Sequence, residues 1–393
     1  MAILQKSRKI LSLLVALTLT LIFHTSAQAD AADAACKDWP LWTAYQKRFV
    51  QGDGRVLDQT GERDFTTSES EAYTLFFTLV NNDRQRFDVV LNWIQANLAQ
   101  GDFSRHLPAW HWGRQSTGKW EILDHNSASD ADMWLAYTLL QAGTLWHDAR
   151  YTSLGMTILE RIKADEVALL PDVGAMVLPG PAGFVERNSK WRLNPSYQPL
   201  QILRAFALAD PTGPWNDVAM NTQLMIRVVS PRGFAPDWVS FQTGKAWSAY
   251  PESEPVGSYD AIRIYLWAGM LDDGDSIKPK LMRSLSGMRS YLIKNNGALM
   301  EKVNTQTGVG EGIAPRGFSA ALLPYLHALN DGKLLAQQAR RLSEKKNGAL
   351  VGESPTYYDQ VLSLFGQGWI EQRFSFSKTG QLIPAWSQRC RPQ

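Results

Sequence analysis

Ser68-Glu69-Ser70-Glu71 and, 61 residues later, Ser129-Asp130-Ala131-Asp132 decide how this chain is read. Each sets a serine and two acids at the head of a segment with apolar residues at helical spacing. A serine at the N-cap accepts a hydrogen bond from a backbone N–H that the first turn leaves unpaired, and an acid at the third helical position reaches back to the cap. The two stretches are therefore read as capping boxes, with Glu71 at the third helical position of the first and Asp132 in the same place in the second. The same kind of start recurs at Ser196, Ser258 and Ser319, at intervals of 67, 62 and 61 residues. Thr356, ahead of Tyr357-Tyr358-Asp359-Gln360-Val361-Leu362, opens a sixth after a shorter gap.

Working outward, each period has room for a second helix. Phe87, Val90, Leu91, Ile94 and Leu98 mark one apolar face at the 3.6-residue period, and comparable segments lie near 150–163, 215–228, 277–293 and 332–343. A further helix around 39–49 precedes the first start. Strand-like alternation is scarce, although 166–193 and 229–250, rich in Pro, Gly and Trp, suit short hairpins. The pattern predicts an all-α fold: six capped inner helices and six outer partners in a closed ring of helical hairpins, an α/α barrel with small β-hairpin insertions. A parallel α/β sheet would need a strand before each helix. Serines before helices are common, so an irregular all-helical domain is the alternative.

Lys6, Arg8 and Lys9, the apolar run Ile10–Phe23 and then Ala27-Gln28-Ala29 have the form of a secretory leader cleaved after Ala29. The run is short for a retained anchor, so no stable membrane insertion is expected after cleavage. A mature chain of 364 residues shows no composition shift that marks a linker, and 30–393 is read as one domain. Removing the three basic leader residues takes the formal charge from +2 to −1, which argues against nucleic acid as a partner. Cys36 and Cys390, at opposite ends, suit a bridge between the termini in an oxidising compartment, free thiols being the alternative. Two cysteines and six histidines without a ligand-spaced pair predict neither metal nor cofactor.

In a ring of hairpins the inner helices share a direction, and carboxylates just inside their N-termini meet on one face. Glu69, Asp130 and Asp260 hold that position. Any one of them is explained by the helix dipole, which favours acids in the first turn, but three at matched positions beside aromatics point to a site. The aromatics are Trp110-His111-Trp112, Tyr197, Pro236-Asp237-Trp238 and Tyr259. Flat rings stack on the apolar faces of pyranoses while carboxylates bond the hydroxyls. Trp93, Trp146 and Trp267 are read as core filling, and the loop tryptophans are not.

Ala128-Ser129-Asp130-Ala131-Asp132, continuing through Leu135-Ala136 to Ala142 and Trp146, resembles the signature of glycoside hydrolase family 8, with Leu135 and Thr138 as slight departures. Thr67-Ser68-Glu69 with Tyr73 is similar to the segment carrying that family's general acid. Ser258-Tyr259-Asp260-Ala261-Ile262-Arg263 resembles the segment carrying its base. Asn194-Pro195-Ser196-Tyr197 and Pro236-Asp237-Trp238 match further cleft segments. The resemblance spans nearly the whole mature chain. It is nearest to the periplasmic members encoded with bacterial cellulose synthase, including Phe318-Ser319-Ala320-Ala321-Leu322-Leu323-Pro324, Leu364-Phe365-Gly366-Gln367-Gly368-Trp369 and both end cysteines.

The resemblance implies an inverting endo-β-1,4-glucanase acting on cellulose chains, periplasmic or secreted, monomeric and near the cellulose synthase machinery. Glu69 is expected as general acid and Asp260 as general base, with Asp130 bonding sugar hydroxyls. Trp110, Trp112, Tyr197, Asp237, Trp238, Tyr259 and Arg263 are expected to bind substrate, Arg263 orienting the base and Tyr259 holding the water. An inverting pair stands about 6.5–9.5 Å apart to admit that water. A helix N-terminus lowers a carboxyl pKa while a general acid needs it raised, so burial and Asp130 are expected to outweigh the dipole at Glu69. Chitosan, xylan or mixed-linkage glucan as substrate, and a glucan-binding protein without catalysis, are the competing readings. A lyase on a similar barrel would want a more basic cleft.

Overall fold

Five segments that are mostly apolar around their whole circumference can be helices only if protein surrounds them, and the computed structural model folds them so. It describes residues 38–59, 64–187, 189–388 and 390. The leader over 1–29 and the Cys36 half of the expected Cys36–Cys390 bridge lie outside the described residues. The helices are α1 (Pro40–Phe49), α2 (Ser68–Val80), α3 (Arg84–Asn97), α4 (Ser129–Leu145), α5 (Ala149–Asp165), α6 (Leu200–Ala209) and α7 (Trp215–Val229). They continue with α8 (Ala261–Met270), α9 (Lys278–Ser284), α10 (Ser286–Lys294), α11 (Arg316–Ala328), α12 (Gly332–Ser343) and α13 (Tyr357–Ile370).

Helices α2, α4, α8, α11 and α13 are buried almost throughout. Their partners carry a single buried stripe, as in α12, where Leu334, Gln338 and Leu342 face inward at four-residue steps. Each inner helix packs on its partner: α2 on α3, α4 on α5, α6 on α7, α8 on α9, α11 on α12 and α13 on α1. Inner helices also touch in sequence, α2 to α4, α4 to α6, α6 to α8, α8 to α11 and α11 to α13. Phe365 of α13 closes the series. Its ring centroid lies 4.6 Å from Phe77 and 5.5 Å from Phe76 on α2, 5.1 Å from Trp134 on α4 and 5.1 Å from Trp267 on α8. Truncating such a residue to alanine costs ~3–5 kcal/mol.

Glycine permits the closest helix approaches. A Cβ on Gly366 of α13 would stand 1.9 Å from the Ala320 carbonyl oxygen of α11, and one on Gly269 of α8 2.3 Å from the Tyr325 nitrogen.

The helix starts differ from the expected caps in instructive ways. Thr67, not Ser68, caps α2. It forms the box with Ser70, so Glu71 moves to the fourth helical position, where its buried carboxylate accepts the Val56 N–H at 2.7 Å. Ser129 is likewise the first helical residue of α4 rather than its cap. Ser196 falls in a 3₁₀ turn (Pro195–Tyr197) ahead of α6, and Ser319 sits inside α11. Thr356 does cap α13. The expected helix over 277–293 is two, α9 and α10.

Short strands lead into several inner helices. A four-stranded antiparallel sheet joins 58–59, 64–67, 109–114 and 120–127, the second strand running into α2 and the last reaching the head of α4. This sheet was not expected, and it places Trp110 and Trp112 on a strand rather than in a loop. The expected hairpin regions pair as 167–170 with 174–177, and as strands of a sheet containing 185–186, 190–193, 239–242 and 248–249. Among the described residues no helix is long and apolar enough to cross a membrane.

Candidate active site

Asp130 is the second residue of α4 and is 1% exposed. Its Oδ1 accepts the Ala131 N–H at 2.9 Å and its Oδ2 accepts from Arg263 Nη1 at 2.8 Å. Arg263 is the third residue of α8, buried, and reaches two other helices. Nη1 also donates to the Tyr73 hydroxyl of α2 at 3.0 Å, and Nη2 donates to Asp260 Oδ1 at 2.6 Å. The guanidinium carbon lies 5.4 Å from the Tyr197 ring centroid. One planar fork thus ties Asp130 and Asp260 to a fixed separation, which a point-charge ammonium would not do. The Arg263–Asp130 pair is almost fully desolvated, while the Arg263–Asp260 pair opens on one side.

Asp260 keeps 28% of its side chain exposed, open to the cavity beside it. The turn that carries it is held from 21 residues upstream. Asp237 Oδ1 accepts the Ser258 N–H at 2.7 Å and the Ala261 N–H at 2.8 Å, while Oδ2 accepts the Ser258 hydroxyl at 2.5 Å. Asp237, expected to bind substrate, spends its carboxylate capping α8, and the cap fixes the turn that carries Asp260.

Glu69 is the second residue of α2, half-buried, with the Ser68 hydroxyl donating to Oε2 at 3.2 Å. It lines a cavity of about 490 Å³ together with Asp260, Arg263, Tyr73, Tyr197 and Tyr259. Burial first, and the charge of Asp130 second, raise its carboxyl pKa to about 8 against the lowering pull of Arg263. The conflict with the helix dipole is resolved in favour of a protonated group at neutral pH. Burial likewise raises Asp130, with Arg263 opposing.

The remaining expected residues divide. Tyr197 lines the cavity, and Trp238 stands beside it, 6.2 Å from the Tyr197 ring and stacked on Phe184 at 6.1 Å with 9° between planes. Tyr259 is 42% exposed and turns its hydroxyl to Glu301 at 3.0 Å instead of toward a water beside Asp260. Trp112 packs edge-on to Trp93 and stacks on Trp120 at 5.2 Å, with the Arg55 guanidinium 4.6 Å from its centroid. Trp110 stacks on His111 at 4.8 Å. Neither tryptophan lines the cavity that holds Glu69 and Asp260. Trp93 and Trp267 are core as expected, while Trp146 is only partly covered and bonds Asn82.

Sequence reasoning missed Asp58 and Tyr358, both on the cavity wall. Burial raises Asp58 to about 6. The Tyr358 hydroxyl donates to the Tyr259 carbonyl oxygen, bracing the loop before Asp260. Nothing local marks Asp58, whereas Tyr358 is the second residue after the Thr356 cap. Among the described residues no group of three or more His, Cys, Asp or Glu side chains is placed to hold a metal ion.

With this geometry in hand, comparison with known proteins is informative. The model of the family described as "Glycosyl hydrolases family 8" matches residues 15–372. An endoglucanase of Xanthomonas axonopodis pv. citri is 48% identical over 360 residues, covering 92% of this chain and 92% of that protein. An endoglucanase of Escherichia coli K12 is 43% identical over 362 residues, covering 92% and 95%. The crystal structure of an endo-1,4-D-glucanase from Vibrio fischeri ES114 superposes with a TM-score of 0.80 at 37% identity, covering 89% of this chain and 99% of that one.

Proposed function

Because the chain belongs to glycosyl hydrolases family 8 and is a glycoside hydrolase, we propose that it is an endo-β-1,4-glucanase that cuts cellulose chains internally with inversion. The observation that carries this reading is the meeting of Glu69 and Asp260 on one cavity, with Arg263 joining Asp260 to Asp130. The names of the relatives support the substrate class.

Glu69 holds a proton at neutral pH and gives it to the glycosidic oxygen as the C–O bond breaks. Asp260 takes a proton from the water that attacks the anomeric carbon on the opposite face, so each turnover returns both groups after one proton exchange with solvent. Asp130, buried and held by Arg263, bonds the hydroxyls of the sugar at the cleavage point and keeps negative charge beside Glu69. Tyr197 and Trp238 offer ring surface to a neighbouring sugar.

The packing order of the helices supports a closed α/α barrel of six hairpins, with α1 as the outer partner of α13. We read 30–393 as one catalytic domain that acts as a monomer after cleavage behind Ala29, in the periplasm or outside the cell. There it would trim glucan near the cellulose synthase machinery. The test is proton NMR of the first product formed from cellohexaose. A new α-anomeric end supports inversion by this pair. A β-anomer rejects it, and no cleavage of any β-1,4-glucan rejects the substrate assignment.

A further inference from the structure

Two carboxyl groups take no part in the cleavage chemistry described above and yet lie deep in the protein beside it. Asp132, two residues beyond Asp130 on α4, and Glu166, the residue after α5, are both fully buried. Ser127, at the end of the strand that leads to α4, donates its hydroxyl to Glu166 Oε1 at 2.6 Å. Ser127 also stands near Asp132, but its one hydroxyl proton is committed to Glu166, so both oxygens of Asp132 and Oε2 of Glu166 are left without a donor, while the two carboxyls lie within hydrogen-bonding reach of each other. Orphaned buried acceptors are costly, and two touching carboxyls cannot both ionise away from water. A single proton between them supplies the missing donor.

No charge around the pair relieves it. Asp130 on the same helix and Asp165 at the end of α5 are both negative. Arg263 of α8 is bonded to Asp130, Arg161 of α5 to Asp165, and Arg204 of α6 to Asp275. Glu69 of α2 faces Asp130. Asp124 and His125, on the strand of Ser127, are exposed, as is Asp172 in the 170–174 turn. Burial, the largest cause, raises both pKa values, that of Glu166 to about 8.

We propose that Asp132 and Glu166 share one proton and act as a clasp that positions Asp130 at the head of α4. The clasp joins three pieces of chain. The Leu178 N–H donates to the Glu166 carbonyl at 2.8 Å, and the Ser129 N–H donates to the Pro179 carbonyl at 3.0 Å. The 178–179 segment therefore holds both Glu166 and the residue before Asp130, and the shared proton ties the next turn of α4 to the same anchor. Asp132 and Glu166 are positioning residues, and their role rests on the reading of Asp130 as a cleft carboxylate.

The sign of the pH dependence follows from the raised values. The folded state holds this proton more tightly than the unfolded chain, so its stabilising effect is complete below the ordinary carboxylate range and is lost as pH rises through about 8. Glu69 titrates in the same direction, so the informative quantity is the difference between variants. Melting curves from neutral to alkaline pH should fall more steeply for the wild type than for the double variant Asp132→Asn with Glu166→Gln, whose amides bond each other without a titrating proton. Parallel curves would overturn the shared proton.

Asp132→Ala opens the clasp. Its kcat on cellohexaose should fall by up to ~10²-fold with a much smaller change in KM, because misplacement remote from the chemistry acts on the reacting geometry. Asp132→Asn should recover most of that loss. A melting point lowered with kcat intact would mean a structural role only and would overturn the positioning claim. Should Asp132→Ala not fold, Ser127→Ala removes the third member and should lower kcat in the same sense. Asp130→Asn serves as the control. Full activity there rejects the reading of Asp130, while the melting-curve difference still judges the clasp.

Discussion

Replacing Arg263 with lysine keeps a positive charge in place and removes the fork. In the protein Nη1 and Nη2 bond different carboxylates, Asp130 at 2.8 Å and Asp260 at 2.6 Å, and Tyr73 shares Nη1 at 3.0 Å. A single ammonium cannot span both acids, so at least one charge-assisted bond is lost. Such a bond is worth ~1.5–3 kcal/mol, and if the loss falls on the reacting geometry it corresponds to roughly 10- to 150-fold in rate. Kinetics on cellohexaose should show this fall mainly in kcat, since substrate is still held by the aromatic surface. The companion change Arg263→Met leaves Asp130, 1% exposed, without a cation. Breaking a buried pair in this way costs ~3–5 kcal/mol, less whatever Asp130 recovers by taking a proton, and chemical denaturation should register it. A lysine variant with wild-type kcat would refute the idea that the fork sets the separation of the acids.

Three further outcomes follow from the same geometry. Asp130→Asn removes the second cause of the raised Glu69 pKa, so the alkaline limb of the kcat/KM profile, expected near pH 8 in the wild type, should move to lower pH. Asp237→Ala removes the cap of α8, ~1 kcal/mol in stability, and loosens the turn that carries Asp260. Its kcat should fall while binding of cellohexaose, followed by calorimetry, persists. Gly366→Ala forces a Cβ to within 1.9 Å of the Ala320 carbonyl oxygen, and the midpoint of urea unfolding should drop by an amount equivalent to ~1–3 kcal/mol or more.

The helical framework was legible because its signals are local. Apolar spacing found all six outer segments, and a hydroxyl residue does stand near each inner helix start. The one-residue shift at Ser68 arises because Thr67 takes the cap with its own hydroxyl, whereas at Ser129 the cap position falls to Ala128, which has no capping side chain. Two caps were invisible for a deeper reason. Asp237 caps α8, and Asp359 accepts the Gly317 N–H of α11 at 2.6 Å from 42 residues downstream. No window of sequence reveals a cap supplied from another element. The same holds for Arg263, expected only to orient Asp260 three residues away, while its bond to Asp130 spans 133 residues. The sheet containing Trp110 and Trp112 was hidden because its first two strands are short and its longest, Trp120–Ser127, is largely exposed and lacks a strict apolar alternation. Glu69, Asp130 and Asp260 were legible as a set because each stands at the head of an inner helix, and inner helices that share a direction bring their heads together.

If the proton on Glu69 drives cleavage of the glycosidic bond, single-turnover cleavage of cellohexaose by Glu69→Gln reads it out. The amide is close in shape and cannot donate a comparable acidic proton. This variant should fold and bind cellohexaose as the wild type does, with cleavage reduced to background. Cleavage at the wild-type rate would contradict it and assign the acid to another carboxyl of the cavity.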